Sequence, residues 1–462
     1  MKKLETILVA LFAGATFAAA QQVEPFRDGD RVVFIGDSIT DGGHYHSYIY
    51  LFYATRFPYM NLSVYNAGIG GDTAPMMYDR LDGDVFAKNP TYLTLMFGMN
   101  DTGYLEYKEE GADEYGEKRF NECMEAFGKI ESRFKSLKDT RIAMIGCTPY
   151  DNTTETKGLF GPLPGKNEVI QRINGKQRES ALENGWGYVD FNAPLVEVSL
   201  RQQEADPEFT FSRGDRVHPD NASDMMMAYF FLKAQGFEGS CVADVEIDAR
   251  KLSAVKADNC EVSDIKGDKK QISFDYLAYS LPCPLDTVAH CEGKAQSKAA
   301  EMVPFVEDMN REILCVKNLP KGDWKLRIDG EEIGVWSASE LSGGINLALE
   351  TWTPQYRQAL EVMYLNEFRW EIEQNFREYA WMQYDIFKPS GLLDVNDRHA
   401  VEVMDIQKES NGWIGWHRPN YAKYMHESVR KARWAEMEGL SRAMYEVAKP
   451  QTRKVTLVRQ QP

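Results

Sequence analysis

The sequence predicts an α/β fold over roughly residues 28–236, a parallel sheet covered on both faces by helices, followed by a β-rich and then a long-helical region. Short apolar runs at 32–36, 62–65, 92–97, 142–147 and 188–191 alternate with longer stretches of helical periodicity, the pattern of strands buried on both faces. Ser38, Gly71 and Asn100 lie just past such runs, and in open parallel sheets function collects at the carboxyl ends of the strands. From Cys241 onward the runs become short and alternating, without helices between them.

The run 32–36 ends in glycine and is followed at once by Asp37-Ser38-Ile39-Thr40, as where a strand stops and lifts one residue into a turn. A serine in that place ordinarily caps a helix, so position alone does not single Ser38 out. Residues 45–57 carry apolar and aromatic side chains at helical spacing and end before Pro58. The run 62–65 is closed by Asn66-Ala67-Gly68-Ile69-Gly70-Gly71-Asp72, and the run 92–97 by Gly98-Met99-Asn100-Asp101. Helical stretches at 114–138 and 167–184 precede the fourth and fifth strands. Residues 214–220 lead into an apolar helix over 222–234, with Pro219 suited to its first turn and His218 at its entrance.

In the second half, residues 324–328 alternate, meet Asp329-Gly330 and resume through Ile333 and Val335, which reads as a hairpin. After Pro354, Leu360, Tyr364, Phe368, Ile372, Phe376 and Tyr379 recur at intervals of three and four and are expected to face the core. A second long helix is expected after Pro419, with Tyr421, Met425 and Val429 on the face that Leu440, Met444 and Val447 continue; residues 453–459 read as a closing strand.

The formal charge of −17 over 462 residues argues against nucleic acid and against a polybasic membrane contact, both of which need clustered Lys and Arg. Residues 1–20 read as a cleavable signal peptide, with Lys2 and Lys3, an apolar run over 6–17 and an Ala18-Ala19-Ala20 cleavage site, so the mature chain is expected to be exported, periplasmic or secreted. Export permits disulfides among the seven cysteines; Cys283 and Cys291 are a candidate local pair, and Cys123 and Cys147 read as buried thiols. The cysteines lack zinc-ligand spacing, and neither metal nor cofactor is expected.

Asp215 precedes His218 by three residues, so a turn can bring its carboxylate to the ring Nδ1–H and leave Nε2 facing a nucleophile. His44 and His46 lie nearer Ser38 in sequence but have no carboxylate placed to orient them, and read as lining or solvated residues; His290, His399, His417 and His426 have no comparable context. Gly36-Asp37-Ser38, the Gly-Gly-Asp turn at Gly71, the Gly-Met-Asn-Asp turn at Asn100 and Asp215-x-x-His218-Pro219, in this order, resemble the sequence blocks of the SGNH or GDSL-type hydrolases. The resemblance covers residues 28–236 and implies a flavodoxin-like three-layer α/β/α sandwich. It also implies ester hydrolysis through an acyl-enzyme. By it Ser38 is the nucleophile, His218 the base and then acid, and Asp215 the residue holding the imidazole. Ser38 and Gly71 N–H with the Asn100 amide form the oxyanion hole, Gly71 being preferred to Gly70 as the residue directly before Asp72. The chemistry agrees: a serine hydroxyl needs a base, glycine admits close approach, and an amide donor meets developing negative charge.

The expected organisation is a signal peptide over 1–20, a hydrolase domain over 21–239, a β-rich region over 240–350 and a helical extension over 351–462. The expected function is an exported ester hydrolase that removes acetyl or other small acyl groups from carbohydrates. Lipid or aryl esters are alternative substrates. A non-catalytic glycan-binding protein on the same scaffold is the other class, weakened because such a protein has no physical need for that set of residues. Trp370, Trp381, Trp413 and Trp416, with Gly412 and Gly415 nearby, are candidates for a platform on which sugar rings stack.

Overall fold

The computed structural model describes residues 23–461; the signal peptide expected over residues 1–20 lies outside the described residues. Five parallel strands, β1 (Arg31–Gly36), β2 (Ser63–Gly68), β3 (Tyr92–Phe97), β4 (Arg141–Gly146) and β5 (Gly187–Asp190), form one sheet in the order β2-β1-β3-β4-β5. Its helices are α1 (Ser38–Asp41), α2 (Tyr45–Arg56), α3 (Ala74–Asp79), α4 (Ala112–Lys135), α5 (Lys166–Asn184), α6 (Asn192–Gln203) and α7 (Asn221–Ala234). Alternation along the strands assigns them to layers. Phe34, level with Thr94 of β3, meets Tyr45 of α2 and Phe231 of α7. Phe97, an odd number of residues beyond Thr94, meets Phe127 of α4 on the opposite face, where α5 also packs. The result is a three-layer α/β/α sandwich.

β2 continues past Tyr65, because the polar Asn66 is satisfied within the strand: its Oδ1 accepts from Gly68 N–H and its Nδ2 donates to the Asp41 carbonyl at 2.8 Å. Pro219 lies outside α7, whose cap is Asp220 with its side chain accepting from Ser223 N–H. The short α3 and the separate α6 carried no distinct sequence signal.

The rest of the chain builds β6 (Ala243–Asp248), β7 (Ser253–Asp258), β8 (Cys260–Gly267), β9 (Gln271–Ala278), α8 (Phe305–Met309), β10 (Glu312–Lys317), β11 (Asp323–Ile328), β12 (Glu331–Ser337), α9 (Ala338–Gly343) and β13 (Ile345–Asn346). Then come α10 (Pro354–Trp381), α11 (Arg398–Gln407), α12 (Gly412–Tyr424), α13 (Glu427–Ala448) and β14 (Arg453–Arg459). Two sheets, β13-β10-β6-β7 and β12-β11-β14-β9-β8, share a core with Val245, Phe274, Leu314, Leu457 and the fully buried Trp324. The hairpin turns at Asp329 and Gly330, both with positive φ, as a tight turn between twisted strands requires. β14 enters between β11 and β9, so the strand after the helices completes the sheet begun before them.

The helical region departs from the apolar stripes. Tyr364 and Phe368 are 52% and 54% exposed, while α10 buries Asn366, Arg369, Glu373 and Arg377. The reason is what α10 covers: β2 is an edge strand, with backbone groups that need partners. Glu373 accepts from Asn66 N–H at 2.9 Å, Arg369 donates to Val64 O at 3.3 Å and Arg377 to Gly68 O at 2.8 Å. The single helix expected after Pro419 is two. Pro419 lies inside α12, and the chain turns at His426, where Arg430 donates to Tyr424 O at the end of α12.

The four tryptophans do not form one platform. Trp370 stacks on His44 with ring centroids 4.0 Å apart, Trp381 is buried against His417, and Trp413 and Trp416 are exposed. All seven cysteines are free; Cys291 donates its S–H to Asn221 Oδ1, whereas Cys283 is buried beside Pro284, so the expected local pair is not formed. Among the described residues no helix is long and apolar enough to cross a membrane.

Candidate active site

Ser38 is the first residue of α1, in the turn that leaves β1, and the cap there is Asp37: its Oδ1 accepts from Ile39 N–H at 2.9 Å. The serine hydroxyl is thereby released from the capping role it would ordinarily take. Ser38 Oγ lies 2.8 Å from His218 Nε2, and His218 Nδ1 lies 2.5 Å from Asp215 Oδ2. The remaining Asp215 oxygen accepts from the backbone N–H of Val217 and of His218, both at 2.8 Å. Burial pushes the Asp215 carboxyl up, but the His218 ring and these N–H groups together hold it below the usual carboxylate range. With Nδ1–H committed to Asp215, Nε2 is left to accept a hydrogen bond from the Ser38 hydroxyl.

The turn carrying Asp215 and His218 is fixed by Arg216, a residue that sequence reasoning passed over. Its φ is +72°, a conformation that costs a non-glycine residue about 1 kcal/mol or more. The buried guanidinium holds it there by donating to the carbonyls of Asp151 at 2.7 Å and Thr154 at 3.0 Å.

The chain from Ile69 to Asp72 closes a turn, with Asp72 N–H donating to Ile69 O. Within it Gly71 has φ +87° and Gly70 does not have positive φ, the arrangement of a type II turn, whose third position favours glycine. Gly70 N–H is already taken by Asp41 Oδ2 at 3.1 Å, which favours Gly71, exposed at the tip, as the donor facing a substrate. Asn100 follows β3, its Nδ2 donating to Asp72 O at 3.1 Å and its Oδ1 accepting from the Tyr104 hydroxyl at 2.9 Å. The Asp72 carbonyl, which can only accept, thereby fixes which end of the amide is the NH₂, and the Tyr104 hydroxyl satisfies the other end. The loop beneath is pinned by the buried Lys166 ammonium, which donates to Met99 O, Thr102 Oγ1 and Gly103 O. Asp101 pins it too, accepting from Ala74 and Gly98 N–H. Neither Tyr104 nor Lys166 carries a sequence signal: Lys166 acts on a loop more than sixty residues away, and Tyr104, four residues from Asn100, sits in an irregular loop with no periodicity to mark it.

His44 and His46 are buried, not solvated: α2 is enclosed along its whole length. His46 Nε2–H donates to Thr40 O, and burial pushes its pKa down to about 4. His44 lies under Trp370, with its Nε2 3.3 Å from Glu367. His290 does have a carboxylate, Asp286 at 2.8 Å, but its ring stacks on His44. The described residues contain no group of His, Cys, Asp and Glu able to hold a metal ion.

Residues 34–223 match the model of the GDSL-like Lipase/Acylhydrolase family, and residues 360–449 match that of the diltiazem deacetylase C-terminal helical domain. Among solved structures, a gut microbial diltiazem-metabolizing enzyme is 52% identical, covering 95% of this chain and 100% of its own, with a TM-score of 0.93. The acetylxylan esterase of Geobacillus stearothermophilus is 28% identical over 232 residues, 46% of this chain and 95% of the relative. The uncharacterized lipoprotein YqeF of Bacillus subtilis (strain 168) is 38% identical over 85 residues, 18% of this chain and 33% of the relative. With a full-length likeness at that identity and the GDSL model lying across the three-layer sandwich, the chain belongs to the GDSL-type acylhydrolases and is a carboxylic ester hydrolase.

Proposed function

We propose that the protein is an exported acetylesterase that transfers the acetyl group to Ser38 and then to water. The observation that carries this reading is the line from Asp215 through His218 to the Ser38 hydroxyl, at 2.5 and 2.8 Å. In the first step His218 Nε2 takes the Ser38 proton as Oγ attacks the ester carbonyl, and Asp215 stabilises the imidazolium. Ser38 N–H, Gly71 N–H and Asn100 Nδ2 receive the oxyanion. His218 returns the proton to the departing alcohol, and a water activated by the same nitrogen releases acetate from the acyl-enzyme.

The alcohol that carries the acetyl group is, we propose, a carbohydrate, the class that the acetylxylan esterase relative's name gives. A second reading, an acetate ester of a drug-like molecule such as diltiazem, is favoured by the full-length likeness that includes the helical region. Acetate release should be measured from acetylated xylo-oligosaccharides, diltiazem and 4-nitrophenyl acetate. Turnover of the aryl ester is expected to fall by about 10⁴-fold or more in Ser38→Ala; unchanged turnover in that variant removes the assignment. Release from the saccharides supports the first substrate class, and release confined to diltiazem supports the second.

A further inference from the structure

The helix α10 reaches the proposed oxyanion hole through one chain of side-chain bonds. Gln374 Nε2 donates to Asp41 Oδ1 at 3.0 Å, and Asp41 Oδ2 accepts from Gly70 N–H at 3.1 Å. Gly70 is the corner of the turn whose next peptide carries the Gly71 N–H. In a turn of this kind the central peptide can point to either side of the chain, and the two orientations differ by a flip of that one unit. The positive φ of Gly71 selects the side on which its N–H emerges, and the Asp41 anchor, which bonds the Ile69–Gly70 peptide, fixes the position and plane of the corner from which it emerges. From this we infer that Gln374 is a positioning residue of the active site: through Asp41 it holds the Ile69–Gly70 corner of the turn, from which the Gly71 N–H is directed at the substrate. The inference rests on the proposed role of Gly71.

Three further observations separate this from simple packing. Gln374 Oε1 is buried without a hydrogen-bond partner among the described residues, a cost that an apolar side chain filling the same space would not carry. The neighbouring turns of α10 are bonded to the same two loops: Trp370 Nε1–H donates to Gly43 O at 3.3 Å, and Arg377 to Gly68 O at 2.8 Å. Those loops are also in close contact, since a Cβ on Gly68 would lie 2.2 Å from Asp41 N. Movement of Asp41 is therefore transmitted to the oxyanion turn.

The test is steady-state hydrolysis of 4-nitrophenyl acetate by the full chain, with thermal melting measured in parallel. Gln374→Leu keeps the volume and removes the donor; kcat is expected to fall about tenfold with KM within about twofold, as when an interaction made chiefly in the transition state is weakened. Asp41→Ala is expected to lose at least as much. Asp41→Asn is expected to recover most of that loss, because its carbonyl still accepts from Gly70 N–H while the Gln374 amide turns to accept from its NH₂. A kcat within twofold of the parent in Gln374→Leu, or a rise in KM alone, overturns the inference. Equal kcat in Asp41→Ala and Asp41→Asn overturns it even if Gln374→Leu does not fold. Parent activity that survives Ser38→Ala would instead overturn the reading of the site on which the inference is built.

Discussion

Two helices near the turn that carries Ser38 differ in the chemistry they bury. Every residue of α2 is buried, most of them aromatic or aliphatic, and the helix fills the space between the sheet and α10. The helix α10 buries a face that includes Asn366, Glu367, Arg369, Glu373 and Arg377, and leaves Tyr364 and Phe368 in solvent. Apolar burial stabilises without direction, because dispersion and hydrophobic terms depend on area and fit. Hydrogen bonds and ion pairs have direction, and they are costly when left unmade. The difference teaches that α2 holds the sandwich together, whereas α10 orients the loops at its active edge.

The sharpest test of that contrast lies in the loops that α10 and Tyr104 hold. Asn100→Ala and Gly71→Ala are each expected to lower kcat by about a hundred- to a thousandfold, the usual loss for one oxyanion donor. At Gly71 the loss has a conformational origin: a Cβ would meet nothing within 4 Å, yet φ +87° is strained for alanine. Gly70→Ala places its Cβ 3.5 Å from Asp41 Oδ2 and 3.9 Å from Ser38 Cβ, ordinary contacts, so kcat is expected to stay within about fivefold of the parent. Equal effects at the two glycines would show that the turn does not discriminate between them.

A smaller effect is expected from the clamp itself. Arg377 donates to both oxygens of the buried Asp84, which also receives Arg80 at 2.6 Å and Lys88 at 2.7 Å. Arg377→Met leaves those partners in place but strips Gly68 O of its donor, and is expected to cost about 3 kcal/mol of unfolding free energy. The change is read from denaturant midpoints at constant m-value. A loss under about 1 kcal/mol would mean that the polar face of α10 is interchangeable with an apolar one.

The smallest effect concerns the sandwich side. Burial pushes the Asp37 carboxyl up to about 7, and its Oδ2 has no hydrogen-bond partner among the described residues. A folded-state pKa above the unfolded one means that the folded chain holds the proton more tightly. The associated stability is present below the ordinary carboxylate range and is lost as pH rises through about 7. Asp37→Asn keeps the cap acceptor and cannot ionise, so its melting temperature relative to the parent is expected to be higher at pH 8 than at pH 5, by about a few degrees. A pH-independent difference would place the ionised carboxylate in a better-solvated site than the structure gives it.

Much of the sandwich was readable in the chain because its strands are buried on both faces, so apolar runs mark them directly; Tyr92–Phe97 needed no correction at either end. The candidate residues Ser38, Gly71, Asn100, Asp215 and His218 could be named because turns after strands have recognisable chemistry. The structure brings Ser38, His218 and Asp215 into one hydrogen-bonded line, and Asn100 onto the carbonyl of Asp72, the residue next to Gly71. The buried face of α10 was readable only in its apolar part: Ile372 is buried and Leu360 and Phe376 pack on the core as expected, but periodicity ranks residues by hydropathy, and a helix that satisfies an edge strand also selects for donors and acceptors. Tyr104, Lys166 and Arg216 escaped for a related reason, since each acts on backbone carbonyls or an amide, and a carbonyl has no signature in sequence.

What could be read from the residues alone was which strands the sandwich would have and which polar groups would stand at their ends. Folding in three dimensions then chose the face that α10 turns inward, the glycine whose N–H remains uncommitted and the side chains that hold the site's loops. Local patterns follow from short-range sterics and hydropathy, which each segment carries with it. The choice of hydrogen-bond partners depends on which backbone groups are left over once the strands have paired, and that is known only after distant parts of the chain have met.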